Sequence, residues 1–254
     1  MEEIIVALFG LVWGSFLNVV IHRLPRGENI ATPPSACPRC GRRIRPYDNL
    51  PVISYLLLRR RCRDCGAGIS PIYPAVELLT AAAFLILHSR FGLGLHLLTA
   101  CVFAAALIAL GFIDYFHQIL PDAITLPGLV LALAYAAFRP DIGLRGALLG
   151  AVFGGGFLLA VYGGYYLLRK KEGLGLGDVT MMLFVGAYLG WRGALLTLVL
   201  ASFSGALVGV FLIACRKKDM QHALPFGSFL APAAFVSLAW GEAIVRAYLS
   251  LYAR

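Results

Sequence analysis

Long runs of apolar residues, separated by short polar connections, constrain the fold of this chain more than any other feature. A transmembrane helix needs about 20 mostly apolar residues. Only 14% of the 254 residues are charged and 60% are hydrophobic, whereas a soluble domain has about a quarter of its residues charged. The pattern predicts an all-α polytopic membrane protein with about eight transmembrane helices. The predicted segments are Ile4–Ile21, Pro74–His88, Leu95–Ile113, Ala123–Phe138, Gly146–Leu168, Val179–Gly190, Gly193–Cys215 and Phe229–Leu251.

Lysine and arginine are concentrated in alternate connections between these segments. Residues 22–73 hold ten of them, residues 169–171 three, and residues 216–218 three, which leaves six for the rest of the chain. Cytoplasmic loops carry the excess of such charges. We therefore expect these three connections in the cytoplasm and both ends of the chain on the opposite side. The net charge of +9 is divided among separate loops, so it indicates topology and not a nucleic-acid partner.

The first connection contains two cysteine pairs, CPRC (Cys37–Cys40) and CRDC (Cys62–Cys65), with 21 residues between them. Two such knuckles suit four thiolates around one Zn²⁺, a closed sphere that makes the ion structural. A pair of disulfides or free thiols are the alternatives, and a reducing cytoplasm disfavours the disulfides. About 50 residues bury little core, so a metal would supply stability. We thus predict a small zinc-binding loop domain after the first helix.

Three acids stand near the predicted cytoplasmic ends of membrane segments: Asp114, Asp122 and Asp178. Ionisable groups at membrane depth are costly and are usually functional. Asp122 precedes an apolar run and looks like a helix N-cap, and Asp178 could also be a cap. Asp114 ends an apolar run, where the helix dipole disfavours an anion, so capping does not explain it.

Two carboxyl groups held close together share a proton, because both do not ionise at once. Such a pair catalyses peptide hydrolysis without a metal. The glycines before Asp178 would then let a substrate segment approach the backbone closely. Other interpretations stay open at this point: helix caps plus a structural acid, a transporter that couples through membrane acids, or a membrane sensor with the cysteine loop as receptor.

Seven motifs in the same order make the chain resemble the type IV prepilin peptidases, membrane aspartic proteases of the GxGD class. They are GSFLNVVIHRLP (Gly14–Pro25), the paired CPRC and CRDC, YDNLPVISYL (Tyr47–Leu56), ISPIYPAVELL (Ile69–Leu79), IDYFHQILPDAITLP (Ile113–Pro127), GLGLGD (Gly173–Asp178) and LPFGSFLAPAA (Leu224–Ala234). The resemblance covers nearly the whole chain. It implies that Asp114 and Asp178 are the catalytic pair and that Asp122 is a cap or a supporting residue.

The same resemblance implies a substrate, a second activity and a location. Members of the family cut a short basic leader from prepilins or type II secretion pseudopilins at the cytoplasmic face of the bacterial inner membrane. Many then methylate the new N-terminus with S-adenosylmethionine, and the zinc-binding loop belongs to those members. The expected domains are the first transmembrane helix (residues 1–21), the methyltransferase-associated zinc loop (22–73) and the peptidase core (74–254). The expected partners are these substrates and the lipid bilayer.

Two positions depart from the family pattern. Thr180 stands where the family usually has a lysine, two residues after the GxGD aspartate, which removes a cation beside the acid pair. Arg60 stands where the family commonly has a glycine, two residues before the third cysteine, in the loop tied to methylation. The sequence has no glycine-rich Rossmann fingerprint. It therefore does not identify the residues that would bind S-adenosylmethionine.

Overall fold

The structure is a computed structural model that describes residues 1–170, 175–215 and 224–252. Within these residues the chain forms α-helices, short 3₁₀ turns and two isolated β-bridges, without a β-strand. The predicted all-α class is therefore confirmed. The helices are α1 (Glu2–Arg23), α2 (Ile53–Leu57), α3 (Ile72–Phe91), α4 (Leu95–His117), α5 (Asp122–Ala136), α6 (Gly143–Arg169), α7 (Leu176–Ala214) and α8 (Gly227–Tyr252).

Six helices in the described part of the chain are long and apolar enough to cross a membrane: α1, α3, α4, α6, α7 and α8. Helix α5 is equally apolar but shorter. Large apolar side chains such as Leu8, Val152 and Phe203 are exposed on these helices, the last of them by 71%. A soluble protein rarely exposes contiguous apolar surface of this kind. The chain is thus a multi-pass membrane protein.

Helix α7 joins the predicted segments Val179–Gly190 and Gly193–Cys215, but its backbone is broken at Gly190, which has φ 71° and ψ 176°. A straight helix of 39 residues would be about 58 Å long, nearly twice the hydrocarbon core of a bilayer. Beside this break, Arg139 Nη1 donates a hydrogen bond to the Tyr188 carbonyl at 2.9 Å. The predicted boundary between the two segments therefore coincides with a real interruption.

The chain divides into two compact units, Met1–Ala109 and Leu110–Arg254. In the first unit α1 and α3 pack closely through Gly10 and Gly14. A Cβ atom at Gly10 would lie 2.6 Å from the Ala81 Cα, and one at Gly14 would lie 2.5 Å from the Glu77 Cα. Small residues four apart allow membrane helices to pack backbone to backbone. The domain boundaries expected after residues 21 and 73 fall within this unit, beside the end of α1 and the start of α3.

The second unit is built around the contact of α6 with α7. A Cβ at Gly150 would lie 2.1 Å from the Gly186 carbonyl oxygen, and a Cβ at Gly186 would lie equally close to the Gly150 carbonyl oxygen. No other residue fits at either position. This contact fixes the first half of α7, which carries Asp178 at its start.

Candidate active site and metal centre

The four predicted zinc ligands converge within the first unit. The sulfur atoms of Cys37, Cys40, Cys62 and Cys65 all lie within 4.8 Å of one another, and the Cys37 and Cys65 sulfurs are 3.9 Å apart. A disulfide requires about 2.05 Å, whereas tetrahedral zinc with bonds of about 2.3 Å places its sulfur ligands about 3.8 Å apart. The arrangement therefore fits a metal ion better than a pair of disulfides.

The two knuckles have the same backbone design. Gly41 N donates to Cys37 O and Gly66 N donates to Cys62 O, each at 2.9 Å. Both glycines adopt a left-handed φ, 70° and 69°, which turns the chain directly after each cysteine pair. The N–H groups of Cys40 and Arg39 lower the pKa of the Cys37 thiol to about 7. Since the thiolate is the form that binds metal, the local backbone prepares this ligand.

Ion pairs between side chains support the knuckles. Arg63 binds Asp48 through two nitrogens, Nε at 2.9 Å and Nη2 at 2.6 Å, and Arg42 reaches Asp64 at 3.1 Å. The bond from Arg63 lowers the pKa of the Asp48 carboxyl. Because Arg42 follows the first cysteine pair and Asp64 lies inside the second, this contact joins the two knuckles.

The backbone at Arg60, one of the two departures from the family pattern, has a conformation that glycine favours. Its φ is 62°, in the left-handed region that glycine favours. Arg60 N donates to Tyr55 O at 2.9 Å and Arg60 O accepts from Ile69 N at 2.7 Å. The arginine thus keeps the backbone conformation that a glycine would adopt there, at some conformational cost.

Asp114 lies three residues before the end of α4 and is 5% exposed. Its Oδ2 accepts a hydrogen bond from Ser228 N at 2.7 Å and another from the Ser228 hydroxyl at 3.2 Å. Ser228 is the second residue of α8, so the positive end of that helix faces the carboxylate. The unfavourable position of Asp114 on its own helix is therefore compensated by a second helix.

Asp178 is the third residue of α7 and is 7% exposed. Its Oδ2 accepts a hydrogen bond from Gly175 N at 3.2 Å, which satisfies a donor just before the helix begins. The carboxyl groups of Asp178 and Asp114 are close enough to interact electrostatically. Asp178 thus helps to start its helix and also lies beside Asp114. Gly173 of the same motif lies outside the described residues.

Leu120 brings the starts of α7 and α8 together around the two acids. A Cβ at Gly177 would lie 2.8 Å from Leu120 Cβ, and one at Gly227 would lie 3.0 Å from the Leu120 methyl groups and 2.9 Å from Asp114 Oδ2. Both glycines make room for this side chain and for the carboxylate. Gly177 was expected to admit substrate, but its open face is filled by Leu120.

The same contacts determine the course of α7. Its start and the start of α8 both touch Leu120. The connection from Ala214 to Gly227 reaches at most about 45 Å even when fully extended. A straight α7 of about 58 Å would place its end too far away, so the break at Gly190 must turn the second half back towards the acids.

Asp122 differs from the other two acids. It is the first residue of α5 and is exposed, whereas the N-cap position is occupied by Pro121. The Thr125 hydroxyl lies 3.4 Å from its Oδ1 and 3.3 Å from the Thr180 hydroxyl, so it donates to one of these two oxygens. Thr180 also bonds Gly177 O at 3.0 Å. Thr180, which stands in place of the family lysine, therefore forms a neutral contact between hydroxyl groups of α5 and α7.

The first unit also contains a cavity of about 680 Å³, enclosed by the end of α1, the cysteine loop and the start of α3. Its wall includes Glu77, which is only 7% exposed. This volume is within the usual range of small-molecule sites. Asp114, Asp178 and the cysteines were predicted from the sequence, whereas Ser228, Leu120 and Glu77 were not. These three residues lie in the motifs LPFGS, QILPD and PAVELL, respectively, and spacing alone assigned no role to them.

Two family models and full-length relatives are similar to this chain. Residues 8–91 match the model of the bacterial peptidase A24 N-terminal domain, and residues 101–210 match the type IV leader peptidase family. The prepilin leader peptidase/N-methyltransferase of Pseudomonas aeruginosa is 39% identical over 95% of this chain and 91% of its own length. The protein of that name from Aeromonas salmonicida is 38% identical over 97% of this chain and 93% of its own. No solved structure matches this chain.

The two family matches fall on the two parts of the chain that hold the sites. The first contains all four clustered cysteines and Glu77, and the second contains Asp114 and Asp178. With relatives that align over almost the full length of both chains, this chain belongs to the type IV leader peptidase family.

Proposed function

We propose that this chain is a membrane aspartic endopeptidase that removes the leader of type IV prepilins or type II secretion pseudopilins and then methylates the new N-terminus. The observation that carries the peptidase assignment is the pair of buried carboxyl groups, Asp114 and Asp178. They come from helices far apart in sequence and interact at one end of the second unit. A buried pair of acids that is only structural would be costly to retain.

In the proposed mechanism the two carboxyl groups share one proton. The ionised group takes a proton from a water molecule as the water oxygen attacks the peptide carbonyl carbon, and the protonated group donates to the leaving amine. The donors from Ser228 hold Asp114 Oδ2 and so fix the position of this carboxyl group. Leu120 fixes the spacing of the two helix starts.

The acids lie near helix ends, as required for cleavage at a membrane surface. We place that surface on the cytoplasmic side of the bacterial inner membrane, because the lysine-rich and arginine-rich connections adjoin these ends. A substrate would then leave its hydrophobic segment among the membrane helices and its basic leader in the cytoplasm. Transport coupling would instead favour acids near the bilayer midplane.

For methyl transfer we propose the first unit as the site. The four cysteines would hold one structural Zn²⁺ that fixes the loop over the cavity. S-adenosylmethionine supplies an electrophilic methyl group when bound. The cavity wall offers an amide and an aromatic ring, Asn49 and Tyr55, as groups that suit an adenine ring. The zinc loop and the peptidase core of the second unit would thus serve successive reactions on one substrate.

The peptidase assignment is tested with Asp114→Asn and Asp178→Asn. Mass spectrometry of a purified prepilin after incubation should show cleavage slower by about 10²- to 10⁴-fold in either variant. Methylation of a peptide that already begins at the mature N-terminus should continue. Asp122→Asn is the matched control, and it should cleave at nearly the wild-type rate. Full cleavage by either Asp114→Asn or Asp178→Asn would overturn the assignment.

A further inference from the structure

Glu77 is a buried carboxylate that the peptidase mechanism does not use. It is the sixth residue of α3 and forms part of the wall of the cavity in the first unit. Since the wall of this cavity also includes the cysteine loop, the carboxylate lies where the start of α3 meets that loop. A charge at this depth is expensive, and it is usually retained for a function.

Two neighbours hold the Glu77 carboxylate in place. Val52 N donates to its Oε2 at 2.7 Å, and the Ser15 hydroxyl also bonds it. Val52 has φ 59°, a strained conformation for a β-branched residue, and the strain turns its N–H towards Glu77. Strain of this kind clusters at functional sites, where it preorganises binding groups.

These contacts do not neutralise the charge of Glu77. Across residues 1–170, 175–215 and 224–252, no ion pair joins it to a lysine, arginine or histidine. A carboxylate offers about four acceptor sites, of which the two donors use about half. A buried carboxyl group in a cavity, held by neutral donors and with acceptor sites to spare, is suited to a cationic ligand.

We propose that Glu77 binds the α-ammonium group of the newly exposed peptide N-terminus and accepts its proton before methyl transfer. This inference rests on the proposed methyltransferase function and names the amine site within it. The peptide fits this position because its first residues are apolar. Such residues can pack against Val19 and Leu58 of the cavity wall while the terminal charge reaches Glu77.

The proposed step balances. The ammonium group gives one proton to the Glu77 carboxylate and becomes a neutral amine. The amine nitrogen then forms a bond to the methyl carbon, while the bond from that carbon to the donor sulfur breaks and the sulfur keeps the electron pair. The methylated nitrogen carries the positive charge, and Glu77 returns its proton to water. The net products are a methylammonium terminus, S-adenosylhomocysteine and one proton.

The test uses the full-length protein in detergent and Glu77→Gln. One probe is a 20-residue peptide (about the length of one membrane segment) that begins at the mature N-terminus, and a second is the same peptide with an acetylated N-terminus. Calorimetry should show that Glu77→Gln binds the free-amine peptide about ten- to a hundredfold more weakly than the wild type does. Both proteins should bind the acetylated peptide equally, because that ligand carries no terminal charge.

Three further measurements separate this inference from its alternatives. Zinc content and prepilin cleavage should be unchanged in Glu77→Gln, which reports that it folds. S-adenosylhomocysteine should bind it within about twofold of wild type, and methylation should fall at least as far as peptide affinity. Glu28→Gln, at an exposed carboxylate of the same cavity wall, is the matched control and should bind the free-amine peptide as wild type does.

The outcomes that overturn the inference are specific. If Glu77→Gln binds and methylates the free-amine peptide as the wild type does, then Glu77 has no role in the reaction. A variant that loses S-adenosylhomocysteine but keeps the peptide would assign Glu77 to the methyl donor instead. If Glu77→Gln does not fold, Glu77→Asp, which withdraws the charge by one methylene, should give an intermediate loss, and an unchanged affinity would reject the site. If the wild-type protein methylates no peptide, the proposed methyltransferase function is refuted. The comparison of peptide affinities would still show whether Glu77 binds the terminal amine.

Discussion

The cysteine site and the acid pair are assembled in opposite ways. Each cysteine knuckle is closed by its own backbone, through a left-handed glycine and a hydrogen bond to the first cysteine of the pair. The acid pair has no such local design, because Asp114, Asp178 and Ser228 come from three helices that meet around Leu120. A local change should therefore disable the first site, whereas the second should respond to changes in helix packing.

The variant that combines Cys37→Ser with Cys62→Ser should show the largest difference between the two sites in its effects on activity. Loss of one ligand from each knuckle removes the closed sphere and most of a metal-binding free energy of about 10–16 kcal/mol. Metal analysis should fall from one zinc per chain to nearly none, and methylation should fall to background. Prepilin cleavage should stay within about threefold of wild type. Equal loss of both activities would show that the sites are not independent.

Glycine substitutions sharpen the comparison next. Gly177→Ala places a Cβ 2.8 Å from Leu120 Cβ, so we expect a loss of stability of about 1–3 kcal/mol and cleavage slower by about 10- to 100-fold. Adding Leu120→Gly, which removes that Cβ, should restore part of the loss, as kinetic measurement of both variants would show. Gly41→Ala meets no atom within 4 Å but has φ 70°, so it should weaken zinc retention and leave cleavage intact. If the effects of the Gly177 and Leu120 substitutions were simply additive, the packing explanation would be contradicted.

A smaller effect is expected from Ser228→Ala. The variant loses the hydroxyl donor to Asp114 but keeps the backbone N–H at 2.7 Å. The turnover number for cleavage should fall about three- to tenfold with KM unchanged. Ser237→Ala is the matched control on the same helix, since that hydroxyl bonds Gly193 O instead. A change confined to KM would indicate a contact with substrate instead of a positioning role.

The smallest effect is expected from Asp48→Asn in the cysteine loop. Arg63 lowers the folded-state pKa of Asp48, so the pair adds stability above the unfolded pKa near 4, and this is lost as the pH falls through the folded value. Arg63 is 46% exposed, so solvent screens the pair and the gain in stability is small. Thermal unfolding of wild type and variant should differ slightly at pH 7 and converge below pH 4. A constant difference would assign the effect to packing.

The predictability of each site follows from its construction. The cysteine spacing alone predicted a four-thiol cluster, because two-residue separations permit little other geometry. Gly190 was predicted as a boundary between two segments, because a membrane limits the length of any straight helix. Ser228 could not be predicted as the partner of Asp114, since 113 residues lie between them and no periodicity relates them. Gly177 was assigned to substrate access, yet its space is occupied by Leu120, because a glycine pattern does not say what fills the space beside it.

The sequence by itself determined the membrane-spanning class and the cysteine cluster, because apolar length and knuckle spacing are local properties. Its family resemblance singled out Asp114 and Asp178 as the proposed catalytic acids. Only the tertiary structure decided how the acids are held and what surrounds Glu77. The Ser228 donors on Asp114, the packing of two glycines on Leu120 and the strained Val52 N–H on Glu77 each join residues distant in the chain. Such contacts depend on helix packing, and packing is set by close fit between surfaces that no single segment encodes.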